Sequence, residues 1–241
     1  MHNGAQSLLR QRRECGGSGG GRAGTISRVT GQPAPNFAVK PTLTGEKVVL
    51  RPFDFDQDAA AIREMLLDPE ALKLTGSIHD PGSLPVWDEA AEARCREWYT
   101  SRKDQPDRLD LAITDRATGQ FVGEVVFNEW SEQNRSCNFR IMIGPHGRDR
   151  GLGTEATRMF IGYGFEELGF HRISLDVLAF NPRARRVYES AGFVTEGVLR
   201  EEHLWDGQWI DDTIMSILDH EWRRHHGHLA RTPRPPRWMG A

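Results

Sequence analysis

A short segment, GPHGRDRGLGTEA at residues 144–156, places four glycines and two arginines between a strand-like run and a helix-like run. Glycine-rich backbone that enters a helix offers unpaired N–H groups at the positive end of the helix dipole. Arg148 and Arg150 add charged hydrogen-bond donors to these groups. Because this combination suits phosphate, the segment predicts a local anion site.

Two well-known phosphate motifs explain the segment poorly. The loop GxxxxGK[ST] does not match, because Leu152 stands five residues after Gly147 and no Lys-Ser or Lys-Thr pair is present. The stretch GLGTEA satisfies the loose dinucleotide form GxGxxG/A, and Asp176 lies 25 residues after Gly151. In that fold the glycines follow the first strand of a parallel βαβ unit, whereas antiparallel strands are predicted here. The order of elements therefore disfavours a dinucleotide site.

The elements around this segment predict one α+β domain with tails. The predicted domain spans residues 41–222. It follows a flexible extension, residues 1–40, that is rich in Gly, Ser and Pro, and it precedes a basic, Pro-rich tail, residues 223–241. Apolar periodicity and turn residues predict, in order, a strand (47–53), two helices (54–68, 86–102), three antiparallel strands (108–115, 119–130, 135–144), a helix (154–168), a strand (172–178), a helix (182–191) and a hairpin (193–218).

The residues Arg148–Gly153 fit the pattern [QR]-x-x-G-x-[GA], and a strand, an Asn-led helix, a Gly-Phe pair and a late hairpin follow. This arrangement resembles the GNAT superfamily of acetyltransferases, in its ribosomal-protein N-acetyltransferase-like branch, from about Lys47 to Trp222. The resemblance implies a mixed, mainly antiparallel central sheet flanked by helices. It also implies direct transfer of an acetyl group from acetyl-CoA to a primary amine in a ternary complex, without a metal.

The resemblance assigns the CoA diphosphate to the loop and the pantetheine arm to the strand before it. The loop residues are Arg148, Arg150, Gly151, Gly153 and Thr154, and glycine permits the positive φ and close backbone approach that such a loop needs. On the strand, the peptide groups around Ile141, Met142 and Ile143 are expected to hydrogen-bond the pantetheine. The side chains of Ile141 and Ile143 are expected in the core, since an alternating strand packs one face inward.

Two residues near the second helix complete the implied cofactor site. Asn181 corresponds to a family asparagine near the pantetheine, and its place before Pro182 also makes it a helix N-cap; the two roles are compatible. Tyr188 corresponds to the tyrosine that protonates the departing CoA thiolate, since a phenol keeps its proton at neutral pH. The alternative is a packing role, because Tyr188 shares its apolar helix face with Ala184 and Val187.

An amine must lose a proton before it attacks a thioester, so a base is expected near the acceptor. Glu124 is the first candidate, because a carboxylate on the apolar strand FVGEVVF would have a raised pKa if it faced the cleft. The alternative places Glu124 outward on a half-exposed strand. Glu129 and His79 are weaker candidates for the base. Three tryptophans are candidates either for walls of an acceptor pocket or for packing: Trp87, Trp98 and Trp130.

Composition narrows the classes of partner and of compartment. A net charge of −3, from 31 basic and 34 acidic residues, creates no global basic field, so neither nucleic acid nor a membrane surface is expected as a partner. Three cysteines outside any CxxC pattern predict neither a disulfide framework nor zinc. No apolar run reaches the length of a membrane span or a signal peptide. A reducing, cytoplasmic setting is therefore predicted.

The acceptor stays open at this point. Much of the ribosomal-protein branch has a serine three residues after the asparagine and lacks the later tyrosine, whereas this chain has Ala184 and Tyr188. A protein N-terminus and a small amine, such as a polyamine or an aminoglycoside-like compound, are both compatible with the pattern. A non-catalytic acyl-CoA-binding module is the alternative from another class. Dimers are common in families of this kind, which makes a homodimer an expectation.

Overall fold

A computed structural model describes residues 35–226 of the chain. Most of the predicted extension (1–40) and of the predicted tail (223–241) lies outside the described residues, so these boundaries stay predictions. Two parts near the boundaries are packed. Phe37 is buried against Trp130 and Phe170, and a helix continues to His226.

One sheet of eight strands organises the described residues, with the order β1-β2-β3-β4-β5-β6-β8-β7. All neighbouring strands are antiparallel except β5 and β6, which are parallel. This confirms the predicted α+β fold with a mainly antiparallel sheet. The strands are β1 (Leu43–Thr44), β2 (Val48–Arg51), β3 (Leu109–Asp115), β4 (Phe121–Ser131), β5 (Ser136–Ile143), β6 (Arg172–Leu178), β7 (Val194–Trp205) and β8 (Gln208–Leu218).

Six α-helices accompany this sheet in the described part of the chain, and the first, third, fourth and fifth were predicted. Side-chain caps explain where several begin: Asp54, Asp68 and Asp88 each accept a hydrogen bond from a backbone N–H in the first turn. None of these helices has the length and apolarity to cross a bilayer. The helices are α1 (Phe55–Leu67), α2 (Pro69–Leu74), α3 (Glu89–Ser101), α4 (Leu152–Glu166), α5 (Pro182–Ala191) and α6 (Asp219–His226).

The helices cover the two faces of the sheet with separate apolar clusters. On one face, α4 and α5 pack on a main core in which Phe127, Phe139 and Phe160 are almost fully buried. On the other face, α1 and α3 pack on a smaller cluster that includes Ile62 and Tyr99. Side chains of β5 alternate between these two faces, as the two-residue repeat of a strand requires.

The sheet has an opening between β5 and β6. Their parallel pairing covers three residues of each strand, Ser136–Asn138 with Arg172–Ser174. Beyond these residues β5 pairs with β4 alone and β6 pairs with β8 alone. One backbone edge of residues 139–143 is therefore open to a ligand.

Candidate active site

The loop from β5 to α4 has the backbone form expected for an anion site. Gly151 lies in the left-handed region, with φ +76°, and caps α4 without a side-chain hydrogen bond. Asp149 also has positive φ, at +58°. The first N–H groups of a helix have no intrahelical partner, and here the cap supplies none either. Thr154 lies in this first turn of α4. The loop can therefore present a row of backbone donors to phosphate oxygens.

The two arginines of the loop form ion pairs with neighbouring elements. Arg148 is 12% exposed and pairs with Asp68, the N-cap of α2, and with Glu70 at 2.8 Å. Arg150 is 47% exposed; it pairs with Asp115 at 2.6 Å, and it donates to the His146 carbonyl at 3.1 Å. Both arginines thus anchor the loop, and their contact with a diphosphate stays a prediction.

A lysine side chain that the sequence motif did not indicate lies beside the loop. The Lys47 Nζ atom is 3.3 Å from the point that a Cβ on Gly151 would occupy. The Glu155 carboxylate holds the turn before β2 in place, because it accepts hydrogen bonds from the backbone N–H groups of Lys47 (2.9 Å) and Glu46. A cavity of about 430 Å³ at this point is lined by Glu46, Lys47, Asp115, Arg116, Ala117, Arg150 and Leu152. Lys47 is 104 residues from Gly151 in the chain, so no local pattern could reveal it.

The strand predicted to hold the pantetheine arm lies along the opening. Ile141 and Ile143 pack against the main core, as expected for one face of an alternating strand. Met142 packs against the smaller cluster on the other face. A Cβ on Gly153 would lie 3.3 Å from the Ile143 Cγ1 atom, so this glycine permits α4 to begin close to the end of β5. The contact of this strand with pantetheine stays a prediction.

Asn181 acts as the predicted N-cap of α5. Its side-chain oxygen accepts a hydrogen bond from the Ala184 N–H at 3.1 Å. Its side-chain nitrogen donates to the Leu74 carbonyl at 3.4 Å, which ties α5 to the end of α2. The N-cap role is thus confirmed, while a contact with pantetheine stays a prediction.

Tyr188 lies on α5, almost fully buried, and its ring packs against Phe139 and Phe193. Burial raises the pKa of its hydroxyl well above the usual value, and the nearby Asp176 carboxylate raises it further, whereas Arg140 opposes the shift. The hydroxyl therefore keeps its proton at neutral pH. Tyr188 thus has the packing role that was the alternative, and it also has the protonated hydroxyl that an acid needs. Its role as the acid stays a prediction.

Glu124 lies partly buried on β4, beside Met142 of β5 and on the sheet face covered by α1 and α3. Its carboxylate accepts a hydrogen bond of 2.8 Å from the Tyr99 hydroxyl. Burial raises the pKa of Glu124; the Tyr99 hydrogen bond lowers it, and the Asp110 carboxylate raises it. The alternative of an outward, solvated acid does not describe this environment. Its predicted role as the base stays a prediction.

The weaker candidates for the base and the three tryptophans have different surroundings. Glu129 is exposed in the irregular end of β4, with φ +53°. His79 stacks on His203, with 4.9 Å between the ring centres. Trp130 packs against the main core, and Trp87 packs against the smaller cluster. Both contacts agree with a packing role for these two tryptophans. Trp98 is 44% exposed, with the Arg102 guanidinium over its ring.

Comparison with known proteins agrees with this geometry. The family model described as an acetyltransferase (GNAT) domain matches residues 47–194. The spermidine N(1)-acetyltransferase of Escherichia coli K12 is 30% identical over 138 residues, which are 54% of this chain and 74% of that protein. The probable N-acetyltransferase YjcK of Bacillus subtilis is 40% identical over 122 residues, which are 50% of this chain and 67% of that protein.

Solved structures show the same fold. A spermidine N-acetyltransferase from Vibrio cholerae, in complex with CoA and spermine, matches 74% of this chain and 99% of its own, with a TM-score of 0.64 and 24% identity. The family model covers more than half of the chain, and its relatives are N-acetyltransferases, which disfavours the non-catalytic alternative. The chain therefore belongs to the GNAT acetyltransferase family, whose members move an acetyl group from acetyl-CoA to an amine.

Proposed function

We propose that this enzyme acetylates a primary amine of a small polyamine, with acetyl-CoA bound in the opening between β5 and β6. The observation that carries the proposal is the position of two carboxylates on one sheet face. Glu124 lies on β4, on one side of the opening, and Asp176 lies on β6, on the other side. A polycationic acceptor gains Coulomb attraction from both sides of such a site. The spermidine acetyltransferases among the relatives support the same class of acceptor.

The cofactor has a continuous path through the described residues. The open edge of residues 139–143 offers peptide groups to the two amides of pantetheine, in the manner of an added strand. The diphosphate then reaches the first turn of α4, where the backbone N–H groups and Lys47 supply donors. Arg150, which is half exposed, can turn from Asp115 toward a phosphate at the cost of an ion pair.

The reaction that these groups support is direct transfer. The acceptor ammonium gives one proton to Glu124, directly or through water, and the neutral nitrogen attacks the thioester carbonyl carbon. A C–N bond forms, the C–S bond breaks, and the electron pair of that bond leaves on sulfur. The Tyr188 hydroxyl donates its proton to the thiolate. The nitrogen, which is still positively charged, loses its second proton to solvent, and a solvent proton returns to the Tyr188 oxygen.

An acceptor screen tests the proposed function. Free thiol release from acetyl-CoA is followed with spermidine, with hexylamine as a monoamine and with a short peptide that carries a free N-terminus. Spermidine is expected to show the highest kcat/KM, because it carries several positive charges. A higher value for the peptide would overturn the proposed acceptor, and it would favour the protein N-terminus. The peptide is included because the putative ribosomal N-acetyltransferase YdaF of Bacillus subtilis is also a relative, at 30% identity over 104 residues.

A homodimer and a cytoplasmic location also stay proposals. The edge strand β7 is exposed along most of its length, and Val194 and Val198 are each more than half exposed, which supports a contact with a second copy. Cys95 and Cys137 are buried free thiols, which agrees with a reducing setting. Cys15 lies outside the described residues.

A further inference from the structure

A second buried carboxylate lies opposite Glu124 across the opening. Met142, the partner of Glu124, is four residues past Asn138, and Leu178 is four residues past Ser174. Since Asn138 and Ser174 form the last parallel pair, Met142 and Leu178 stand at the same level on the two sides. Asp212 of β8 pairs with Leu178. Glu124 and Asp212 therefore each lie one strand away from the opening, on the same face and at the same level.

Asp212 lacks a positively charged partner, although backbone hydrogen bonds from Thr213 and Val177 lower the pKa of its carboxyl. It is 6% exposed, and its Oδ1 atom has no hydrogen-bond partner among residues 35–226. It takes part in no ion pair within this range, and neither does Asp176. A buried carboxylate with no opposite charge beside it and with one oxygen unpaired is costly, so such a group in a native fold calls for an explanation. A cationic ligand at this point would supply the missing partner.

Asp176 completes the surroundings of this oxygen. It pairs with Ile214, two residues from Asp212 on β8, so the two carboxylates are diagonal neighbours on one face. Diagonal neighbours in a sheet lie about 7 Å apart, which lets one ammonium group contact both. Glu202 of β7 adds a third negative charge near Asp212. Arg140 of β5 lies on the same face across the opening, at the level of Asp176, because each is two residues past the last parallel pair.

We propose that Asp212, together with Asp176, binds the distal ammonium group of the acceptor while the reacting amine lies at Glu124. This subsite rests on the proposed polyamine function. It selects acceptors that carry a second positive charge at some distance from the reacting nitrogen. A monoamine can reach the thioester equally well, but it leaves the Asp212 oxygen without a partner. Discrimination between the two acceptors therefore depends on this pair of carboxylates.

The test compares kcat/KM for spermidine and for hexylamine in the full chain and in three variants. Asp212→Asn and Asp176→Asn each remove one charge of the subsite. Asp211→Asn is the matched control, because Asp211 is the adjacent residue on the opposite face and its Oδ1 accepts a hydrogen bond from the Glu201 N–H that an asparagine can also accept. Thermal unfolding and the KM for acetyl-CoA are measured for each variant.

Asp212→Asn is expected to lower the spermidine-to-hexylamine ratio by on the order of tenfold or more, mostly through the KM for spermidine. Asp176→Asn should change the ratio in the same direction, and Asp211→Asn should leave it unchanged. Because Asp176 is exposed, its variant keeps the test valid if Asp212→Asn fails to fold.

The outcomes separate the subsite from the function on which it rests. A high ratio in the wild-type enzyme that both variants retain would overturn the subsite and leave the polyamine function intact. A wild-type ratio near one would overturn the polyamine function and the subsite together. An equal loss of activity toward both acceptors would also contradict the subsite, since it would indicate damage at the reacting centre.

Discussion

The Tyr99 hydroxyl of α3 donates a hydrogen bond of 2.8 Å to the Glu124 carboxylate of β4. The partner of the candidate base thus comes from a helix that lies before the strand in the chain and packs on the sheet face where Glu124 lies. This bond favours the charged form of the carboxylate and opposes the effect of burial on its pKa.

Tyr99→Phe should therefore raise the pKa of Glu124 further. If Glu124 accepts the proton of the acceptor, the acidic limb of the kcat/KM profile moves to higher pH, and the rate below that limb falls. A pH profile with a saturating amount of acetyl-CoA measures this shift.

Glu124→Gln should lower kcat by roughly 10²-fold. If Tyr99→Phe and Glu124→Gln have the same pH profile of kcat/KM as the wild type, Glu124 is not the base.

Tyr188→Phe should lower kcat by roughly 10²-fold and leave the KM for acetyl-CoA nearly unchanged. The hydroxyl makes no hydrogen bond to any described residue, so its removal should cost little folding stability. Tyr163→Phe is the matched control, because Tyr163 is a half-buried tyrosine on α4 whose pKa is also raised by burial. Steady-state thiol release measures both variants. Equal rates for Tyr188→Phe and Tyr163→Phe would contradict the acid role.

Lys47→Ala should weaken acetyl-CoA binding by roughly three- to tenfold, since an exposed charge contact contributes about 1 kcal/mol. The loss should shrink as salt concentration rises, because screening weakens the contact in the wild type. Lys103→Ala removes an exposed lysine beyond the end of α3 and serves as the control. Calorimetric titration with CoA at low and high salt provides the measurement. An affinity equal to that of the control would exclude Lys47 from the diphosphate site.

Gly151→Val should abolish tight acetyl-CoA binding, because a β-branched residue is strained at φ +76° and would change the loop. Gly207→Val is the control for strain alone. Gly207 has φ +75° in the β7–β8 turn, and a Cβ there would meet open space. Both variants are expected to lose folding stability, and Gly207→Val should retain cofactor binding. Retention of binding by Gly151→Val would contradict the diphosphate assignment.

Asp212 predicts a specific dependence of stability on pH. Burial, followed by the Asp176 and Glu202 carboxylates, raises the pKa of Asp212 from 3.8 to about 7. Between these two values the folded protein binds more protons at this site than the unfolded chain. Its contribution to folding stability is therefore complete below the lower value, and it is lost as pH rises through the higher one.

Asp212→Asn should remove this dependence and raise the free energy of unfolding at alkaline pH relative to the wild type. Urea unfolding of both proteins at about pH 5 and about pH 8 measures the difference. A wild-type protein that is less stable than the variant at the lower pH, and equal to it at the higher one, would show that the shift has the opposite sign.

Local patterns in the sequence predicted most of the elements and the order in which they occur. Caps and turns could be predicted because they depend on residues within a few positions of one another. Examples are the glycine-rich loop at residues 144–156, the Asn181 cap and the turn at Asp206-Gly207. The two-residue strand β1 and the short helices α2 and α6 were missed. Each has few residues, so apolar periodicity has little length in which to appear.

The tertiary structure decided which distant groups meet. Lys47 reaches Gly151 because Glu155 holds the turn before β2, Tyr99 reaches Glu124 across the packing of α3 on the sheet, and Asp212 reaches the level of Glu124 through the register of three strand pairs. The sequence alone determined the fold class and the family and predicted the loop for the cofactor, because these depend on residue types in local order. The partners of each charge depend on strand register and helix packing, which bring together residues far apart in the chain.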